Sequence, residues 1–264
     1  MGPVGQAANQ PLYKLWGGVR DRILPYAAMW GVGTPEERAE MAARIKADGW
    51  KAIKLRAGFT TLRDDVKVVE LVRKTVGDDF HILVDGNKAP GDADAAGDDP
   101  TLWNFKRAAD TAREYQRLKV YWLEEPLPRY ALKMLGELNR LVEMPMAGGE
   151  ANWGIHEFRD LLDEGCFDVL MPEVMRLGPA MSRDIAVLAA AENKQVSPHG
   201  RPTSVVWRTS VLVTSSRRCR THRSWNSFTS RRLAIFSTAG RFSRTHRRSA
   251  RTVTSRCRRG QASA

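Results

Sequence analysis

The sequence predicts an α/β fold of the (β/α) TIM-barrel type, incomplete at about seven strand units. Short apolar runs typical of buried strands alternate strictly with longer stretches in which apolar residues recur at helical spacing, as a parallel sheet requires. Most of these runs end in a charged side chain, which is typical of barrels that carry their chemistry at the carboxyl ends of the strands. No glycine-rich phosphate turn follows the first strand, so a dinucleotide-binding doubly wound sheet is not supported and the barrel is preferred.

Local signals set the boundaries of the predicted elements. Thr34, Pro35 and Glu37 form a capping-box pattern that opens the first helix, and Gly49 and Gly77 end the first two helices. The predicted strands cover residues 26–30, 50–56, 81–84, 120–123, 146–149, 168–174 and 195–197. The predicted helices cover residues 34–48, 62–76, 102–118, 132–141, 155–164 and 181–192.

Composition divides the chain into three predicted parts, which are a lead-in segment at 1–25, a barrel at 26–200 and a tail at 201–264. Of the 42 Lys and Arg residues, 16 are Arg in the tail, which leaves 26 against 30 Asp and Glu in residues 1–200, a net charge of −4 there. The Arg/Ser-rich tail has no sustained periodicity and begins where the last barrel units are expected. We hypothesise that it is a frameshift product outside the native barrel that binds nucleic acid only non-specifically, through phosphates.

The rest of the composition excludes several protein classes. Cys166, Cys219 and Cys257 form neither a disulfide framework nor a zinc motif. No apolar run approaches the roughly 18 residues of a transmembrane helix, and the first residues lack the pattern of a signal peptide. A cytoplasmic protein with no membrane partner is therefore expected. A homo-oligomer is left open. Residues 91–100 are predicted to be a polar loop, either a flap near the site or a solvated insertion.

Three acidic side chains end successive predicted strands. Asp85, Glu124 and Glu150 supply hard oxygen ligands from neighbouring strands, which is the donor set that Mg²⁺ prefers. Neither Cys nor His accompanies them, so zinc is disfavoured. The alternatives are a tight turn at Asp85-Gly86, a solvated strand end at Glu124 and a helix cap at Glu150.

Basic side chains are expected to flank this metal centre. Lys54 and Arg56 lie two positions apart and share one face of their strand, and His199 follows the last predicted strand. A metal held by the three carboxylates can stabilise the enediolate that forms when a proton is removed next to a carboxylate. Ordinary salt bridges at Lys54 and Arg56 and a loop histidine at 199 are the alternatives.

Five segments resemble the enolase superfamily and, within it, its mandelate racemase-like branch. They are residues 54–56, 84–87, 122–126, 148–150 and 198–199, and the resemblance covers roughly residues 10–200. The resemblance implies a TIM-type barrel, with Mg²⁺ bound by the three carboxylates and a base at His199 that Glu173 orients. We also assign supporting or substrate-contacting roles to Asn87, Glu125 and Asn152.

Departures from the family pattern favour one reaction within it. Arg56 stands where Lys is common, and a guanidinium with a pKa above ~12 serves as an electrostatic clamp rather than as a base. Glu173 stands where Asp is common. We therefore expect a magnesium-dependent dehydratase of a sugar acid, in which His199 serves as base and then as acid. The alternatives are a racemase, an epimerase or a cycloisomerase of the same superfamily, or an inactive fragment, because the family's N-terminal capping domain and last barrel units are expected to be missing.

Overall fold

The computed structural model describes residues 3–18, 24–29, 33–89, 102–200 and 235–238. Its strands are β1 Leu24–Ala28, β2 Ala52–Arg56, β3 His81–Asp85, β4 Leu123–Glu124, β5 Met146–Gly148, β6 Val169–Leu170, β7 Gln195–Val196 and β8 Ile235–Thr238. Its helices are α1 Pro3–Ala7, α2 Leu12–Leu15, α3 Pro35–Ala47, α4 Leu62–Val76, α5 Phe105–Arg117, α6 Leu132–Arg140, α7 Gly154–Asp163 and α8 Val174–Ala191.

These strands form a single parallel sheet in the order β7-β6-β5-β4-β3-β2-β1-β8. The register pairs Arg56 with Asp85 and Asp85 with Glu124, so the carboxyl ends of β2, β3 and β4 lie side by side. Helices α3 to α8 alternate with strands β1 to β7, which confirms the predicted alternation of seven strands and six helices. The curled parallel sheet confirms the predicted incomplete barrel.

Local chemistry sets where the helices begin and end. Thr34 Oγ1 accepts a hydrogen bond from the Glu37 amide at 3.2 Å, and the Thr34 amide donates to Glu37 Oε2 at 2.8 Å, which confirms the predicted capping box at α3. Thr61 Oγ1 caps α4 by accepting a hydrogen bond from the Asp64 amide at 3.2 Å, and Gly77 ends that helix with a left-handed φ of 76°. Sequence signals within a few residues of each other therefore suffice to place these boundaries.

Several predicted boundaries are wrong, and among them the strand predicted at 168–174 is reduced to Val169–Leu170. The lead-in segment is not wholly irregular, because it holds the short helices α1 and α2. The strand predicted at 120–123 is reduced to Leu123–Glu124. Helix α8 begins at Val174 rather than at 181, because Gly178, with φ 75° and ψ 164°, kinks the chain and a first helical turn precedes the kink.

The core has two layers because successive side chains of a strand point to opposite faces. A small cluster fills the barrel interior and comprises Tyr26, Ala52, Leu83, Trp122, Ala147, Val169 and Met171. A larger cluster packs between the outer face of the sheet and the helices and includes Ile53, Val84, Leu123, Phe158 and Phe167. This division fixes which side chains near the strand ends point inward.

Strand β8 lies within the predicted tail and adds an eighth strand to the sheet. It pairs in parallel with β1, with Leu24 opposite Ile235. The remainder of the tail, and the predicted loop at 91–100, lie outside the described residues. Among the described helices, none combines the length and the apolar character needed to cross a membrane.

Candidate metal centre and active site

Successive side chains of a strand point alternately into the barrel and out of it, and this alternation, called strand phase below, sets the direction of most of the predicted site residues. Ala52 and Leu83 fill the barrel interior, and Lys54 and Asp85 lie two positions further along the same strands. Trp122, just before β4, and Glu124 at its end have the same relation. Because side chains alternate between the two faces of a strand, each of these polar groups points inward above an apolar interior residue.

The described residues contain one group of three potential metal ligands, formed by Asp85, Glu124 and Glu150. Each carboxylate offers an oxygen that lies within 4.8 Å of the oxygens of the other two. Asp85 and Glu124 are buried and Glu150 is partly buried. Three converging hard oxygen donors, with no sulfur or imidazole in the set, fit Mg²⁺ better than zinc.

Lys54 neutralises two members of this triad. Its ammonium lies 2.8 Å from Glu124 Oε1 and 3.1 Å from Asp85 Oδ2. Burial of Lys54 opposes its charge, but the carboxylates of Asp85 and Glu124 outweigh burial and raise the pKa of the ammonium well above its usual value. Arg56 lies further out, with Nη2 at 3.7 Å from Asp85 Oδ2. Lys54 is therefore held as a cation.

Further hydrogen bonds orient the two buried carboxylates. Asp85 Oδ1 accepts from the Asn87 amide at 2.9 Å and from Asn87 Nδ2 at 3.0 Å. Glu124 Oε2 accepts from Trp122 Nε1 at 3.3 Å. The pKa of Glu124 rises to about 7, chiefly because the side chain is fully buried and then because Asp85 carries a like charge, while Lys54 opposes the shift.

Glu125 is also buried but lies outside the triad. Its backbone has a left-handed φ of 44°, and its Oε1 accepts no hydrogen bond from the described residues. Burial first, and then the charges of Glu150 and Asp85, raise its pKa well above the usual value for a carboxyl group. The supporting role of Glu125 stays a prediction.

His199 lies between two carboxylates. Nδ1 is 2.6 Å from Glu173 Oε2, and Nε2 is 3.0 Å from Glu150 Oε2. A backbone bridge joins Glu173 to His199 across the ends of β6 and β7. Burial lowers the pKa of His199, but the hydrogen bond to Glu173 and the charge of Glu150 prevail and raise it. The imidazolium form donates to both carboxylates.

Glu150 departs from the strand phase that places the other residues. Glu150 lies two positions after Gly148, so in a regular strand its side chain would point to the same face as that residue. That face is the outer one, because a Cβ added at Gly148 would lie 2.4 Å from the ring of Phe167 in the outer core. Gly149 intervenes with a left-handed φ of 108°, and this turn brings the Glu150 carboxylate to the inner side. Only glycine adopts such a conformation readily.

The sequence does not predict a role for several residues that hold the loop after Glu150. Arg129 Nη1 and Arg176 Nη1 each donate to the Ala151 carbonyl at 3.0 Å. Glu157 Oε2 accepts from Asn152 Nδ2 at 2.8 Å and from the Trp153 amide at 3.0 Å. The structure thus directs Asn152, a predicted site residue, to Glu157 rather than to the triad. The two arginines are 22 and 25 positions from Ala151 in the sequence, so no local sequence pattern links them to it.

A hollow at the carboxyl ends of β1 to β3 and of β7 gives access to the centre. Lys54, Arg56, Asp85 and His199 line it, together with the backbone of β1 at Ala28. Cationic groups and His199 therefore face a common space beside the carboxylate triad. An anionic molecule in that space would meet Lys54 and Arg56 on one side and His199 on the other.

Comparisons with known proteins identify a family. The sequence model of a family described as Enolase C-terminal domain-like matches residues 36–237. The D-gluconate dehydratase of Thermoproteus tenax is 30% identical over 201 residues, which are 72% of this chain and 38% of that protein. The 3,6-anhydro-alpha-L-galactonate cycloisomerase of Streptomyces coelicolor is 29% identical over 198 residues, which are 74% of this chain and 51% of that protein.

A solved structure extends the similarity to the fold. A racemase from Streptomyces coelicolor A3(2) with bound magnesium has a TM-score of 0.70 and 25% sequence identity, and the match covers 86% of this chain and 60% of that one. The chain spans 38% to 51% of the length of the two relatives matched by sequence. The three similar proteins carry out three different reactions.

Proposed function

The chain belongs to the Enolase C-terminal domain-like family of the enolase superfamily, and from that premise we propose that it is the barrel of a magnesium-dependent sugar-acid dehydratase. Asp85, Glu124 and Glu150 would hold Mg²⁺. The bound ion would supply positive charge that stabilises the enediolate formed from the substrate's carboxylate. The substrate would be a small sugar acid, by similarity to the relatives that act on such acids.

The observation that carries this proposal is that the two sides of the hollow differ in their ability to exchange a proton. On one side, Lys54 is held as a cation between Asp85 and Glu124, and Arg56 is a guanidinium. On the other side, His199 is the imidazole among the described residues that line the hollow, and an imidazole can accept and return a proton close to neutral pH. Racemisation by two bases needs a competent base on each face of the carbanion, whereas elimination of water needs only one group that acts twice.

The residues divide the work accordingly. His199, when neutral at Nε2, takes the proton from the carbon next to the substrate's carboxylate, and the electron pair moves toward that carboxylate. The resulting imidazolium returns the proton to the hydroxyl on the next carbon, which leaves as water. Glu173 keeps hold of Nδ1 throughout and so maintains the ring orientation. Lys54 and Arg56 would oppose the negative charge on the carboxylate oxygens.

A cycloisomerase or an epimerase is the second candidate, because relatives of similar identity include a cycloisomerase. Those reactions share the first proton removal and differ in where the proton or electron pair goes next. Solvent deuterium can enter the product at carbon in each of these reactions, so deuterium incorporation alone does not separate them. Formation of a 2-keto acid with loss of water separates the dehydratase from the others.

The test is a screen of sugar acids with the purified full-length chain and Mg²⁺, followed by mass spectrometry for loss of water and by NMR for deuterium exchange. We expect a dehydrated product with the wild type and a loss of turnover of at least about a hundredfold in Glu124→Gln. Trp103→Phe is the control, because it alters a buried side chain whose ring lies beside the cationic groups of Lys88 and Arg107, neither of which is a triad residue. Unchanged turnover in Glu124→Gln eliminates the metal role, and inversion without water loss favours the epimerase.

A further inference from the structure

The loop at residues 151–153, which follows Glu150, is held more tightly than a surface loop needs to be. Strand phase does not place Glu150, because Gly149 turns the chain out of phase just before it. Gly148 and Gly149 precede it, and glycines constrain the backbone least of all residues. The position of the Glu150 carboxylate must therefore depend on what holds the chain on its other side.

Two arginines hold that other side at a single atom. Arg129, from the loop between β4 and α6, and Arg176, from the first turn of α8, both donate to the Ala151 carbonyl at 3.0 Å. Each guanidinium also lies against an aromatic ring, with Arg129 at 4.7 Å from Tyr130 and Arg176 at 4.8 Å from Trp153. Charged donors form the stronger class of hydrogen bond, and ring contacts restrict the rotamers of both side chains.

Helix α7 holds the next two residues of the loop. Glu157 Oε2 accepts from the side chain of Asn152 and from the backbone of Trp153. The three residues after Glu150 are thus fixed by side chains from three different elements. Two cations thus converge on one neutral carbonyl next to a proposed metal ligand.

We propose that Arg176, together with Arg129, is a positioning residue of the metal centre, which acts by holding the Ala151 carbonyl and so fixing where Glu150 presents its carboxylate. This inference rests on the proposed function, because it assumes that Glu150 is a metal ligand. The two arginines replace, for Glu150, the strand register that positions Asp85 and Glu124. Partners that orient a metal ligand from outside typically change metal affinity by about 10- to 100-fold.

The experiment measures Mn²⁺ affinity of the metal-free full-length chain by the loss of the free Mn²⁺ electron paramagnetic resonance signal. We expect Arg176→Met to bind Mn²⁺ at least about tenfold more weakly than the wild type. Arg176→Lys keeps a cationic donor and is expected to recover part of that loss. The readout does not depend on turnover, and thermal unfolding of each metal-free variant is recorded alongside it.

Arg73 offers a matched control at the opposite end of the barrel. It is a buried arginine that donates to four backbone carbonyls, those of Gly77, Phe80, Leu118 and Lys119. We expect Arg73→Met to lower the melting temperature at least as much as Arg176→Met does, and to leave Mn²⁺ affinity within about twofold of the wild type because the two regions are distant.

The possible results distinguish a failure of the positioning role from a failure of the proposed metal-dependent function. Equal Mn²⁺ affinity in Arg176→Met and the wild type overturns the inference alone, as does an equal weakening in Arg73→Met, which would mean that affinity merely follows stability. No Mn²⁺ binding by the wild type overturns the proposed function and the inference with it. If Arg176→Met does not fold, Arg129→Met removes the other donor to the Ala151 carbonyl, and unchanged Mn²⁺ affinity in that variant contradicts the proposal.

Discussion

The two halves of the proposed centre are held in place by different means. Between β2 and β4, strand register aligns Lys54, Asp85 and Glu124, and direct ion pairs join their buried side chains. Between β5 and β7, Glu150 follows a left-handed glycine, and its side chain is 19% exposed against 0% for Glu124. The first half is built into the sheet, whereas the second depends on loops and on side chains from the surrounding helices.

This difference shows that the ligands of a single metal centre can be positioned in two ways, by strand register or by contacts to a loop. Register fixes a side chain through many backbone hydrogen bonds, so a single substitution nearby shifts it little. A loop residue relies on a few polar contacts, so the loss of one contact moves it further. We therefore expect substitutions of the residues that surround Asp85 and Glu124 to affect mainly the free energy of unfolding, and substitutions of the residues that surround Glu150 to affect metal affinity more strongly.

The largest expected effect is on stability, at Lys54. Lys54→Met leaves the buried carboxylates of Asp85 and Glu124 without their shared cation, and breaking a buried ion pair in this way costs about 3–5 kcal/mol. Urea denaturation of the metal-free chain measures the loss. Saturating Mg²⁺ is expected to restore part of it, since the metal supplies the missing charge.

Lys194→Met is the control for this prediction. Lys194 pairs with Asp168 at 2.8 Å, but both side chains are about a quarter exposed, so the pair is worth at most about 1 kcal/mol. A loss of stability in Lys54→Met no larger than in Lys194→Met would show that the first half of the centre is not held by its buried ion pairs.

An intermediate effect is expected at Gly149. Gly149→Ala introduces a Cβ at 2.9 Å from the ring of Phe158 and forces an L-residue to a φ of 108°. The strain is expected to cost about 1–3 kcal/mol and to move Glu150, which lowers Mn²⁺ affinity as well as stability. Urea denaturation and Mn²⁺ titration together measure the two effects.

Gly165→Ala separates the backbone strain from the displacement of Glu150. Gly165 also has a positive φ, of 66°, but an added Cβ there meets nothing within 4 Å. We expect a smaller loss of stability, of about 1 kcal/mol, and unchanged Mn²⁺ affinity. If both glycine variants bind Mn²⁺ as the wild type does, the second half of the centre does not depend on the turn at Gly149.

The smallest effect is expected at Trp122. Trp122→Phe removes the N–H group that donates to Glu124 Oε2 at 3.3 Å and keeps an aromatic ring in the barrel interior. One lost hydrogen bond to a buried acceptor costs about 1–2 kcal/mol. Because register still places Glu124, we expect Mn²⁺ affinity to fall by no more than about threefold, which is less than for Arg176→Met.

Trp103→Phe is the matched variant for this last prediction. Trp103 is also buried, but its Nε1 donates to no atom of the described residues, so its replacement removes no hydrogen bond. A larger fall in Mn²⁺ affinity in Trp122→Phe than in Arg176→Met would reverse the proposed distinction between the two halves.

Local chemistry made much of the fold predictable. The capping box at Thr34 and Glu37 and the glycine end of α4 depend on residues within one or two turns, and the structure confirms both. The ends of the strands were found because apolar runs stop at polar residues. The continuation of α8 through Gly178 was missed, since a glycine followed by a proline indicates a break and not a kink between two helical segments.

The site was predictable as a set of residues but not as an arrangement. The positions of Asp85 and Glu124 follow from strand phase, which can be read from the sequence. The turn at Gly149 cannot be read in the same way, because a Gly-Gly pair is compatible with many backbone conformations. The arginines that hold Ala151 are remote in the chain, and tertiary packing alone brings them together.

The left-handed turn at Gly149 has a consequence for anyone who would transplant this centre into another barrel. Copying three acidic residues onto adjacent strand ends would send the third one outward, into the layer that Phe167 occupies here. The graft would have to include Gly149, the loop at 151–153 and the side chains that hold this loop. A designed scaffold that lacks that segment would present a pair of carboxylates, which is one oxygen donor too few.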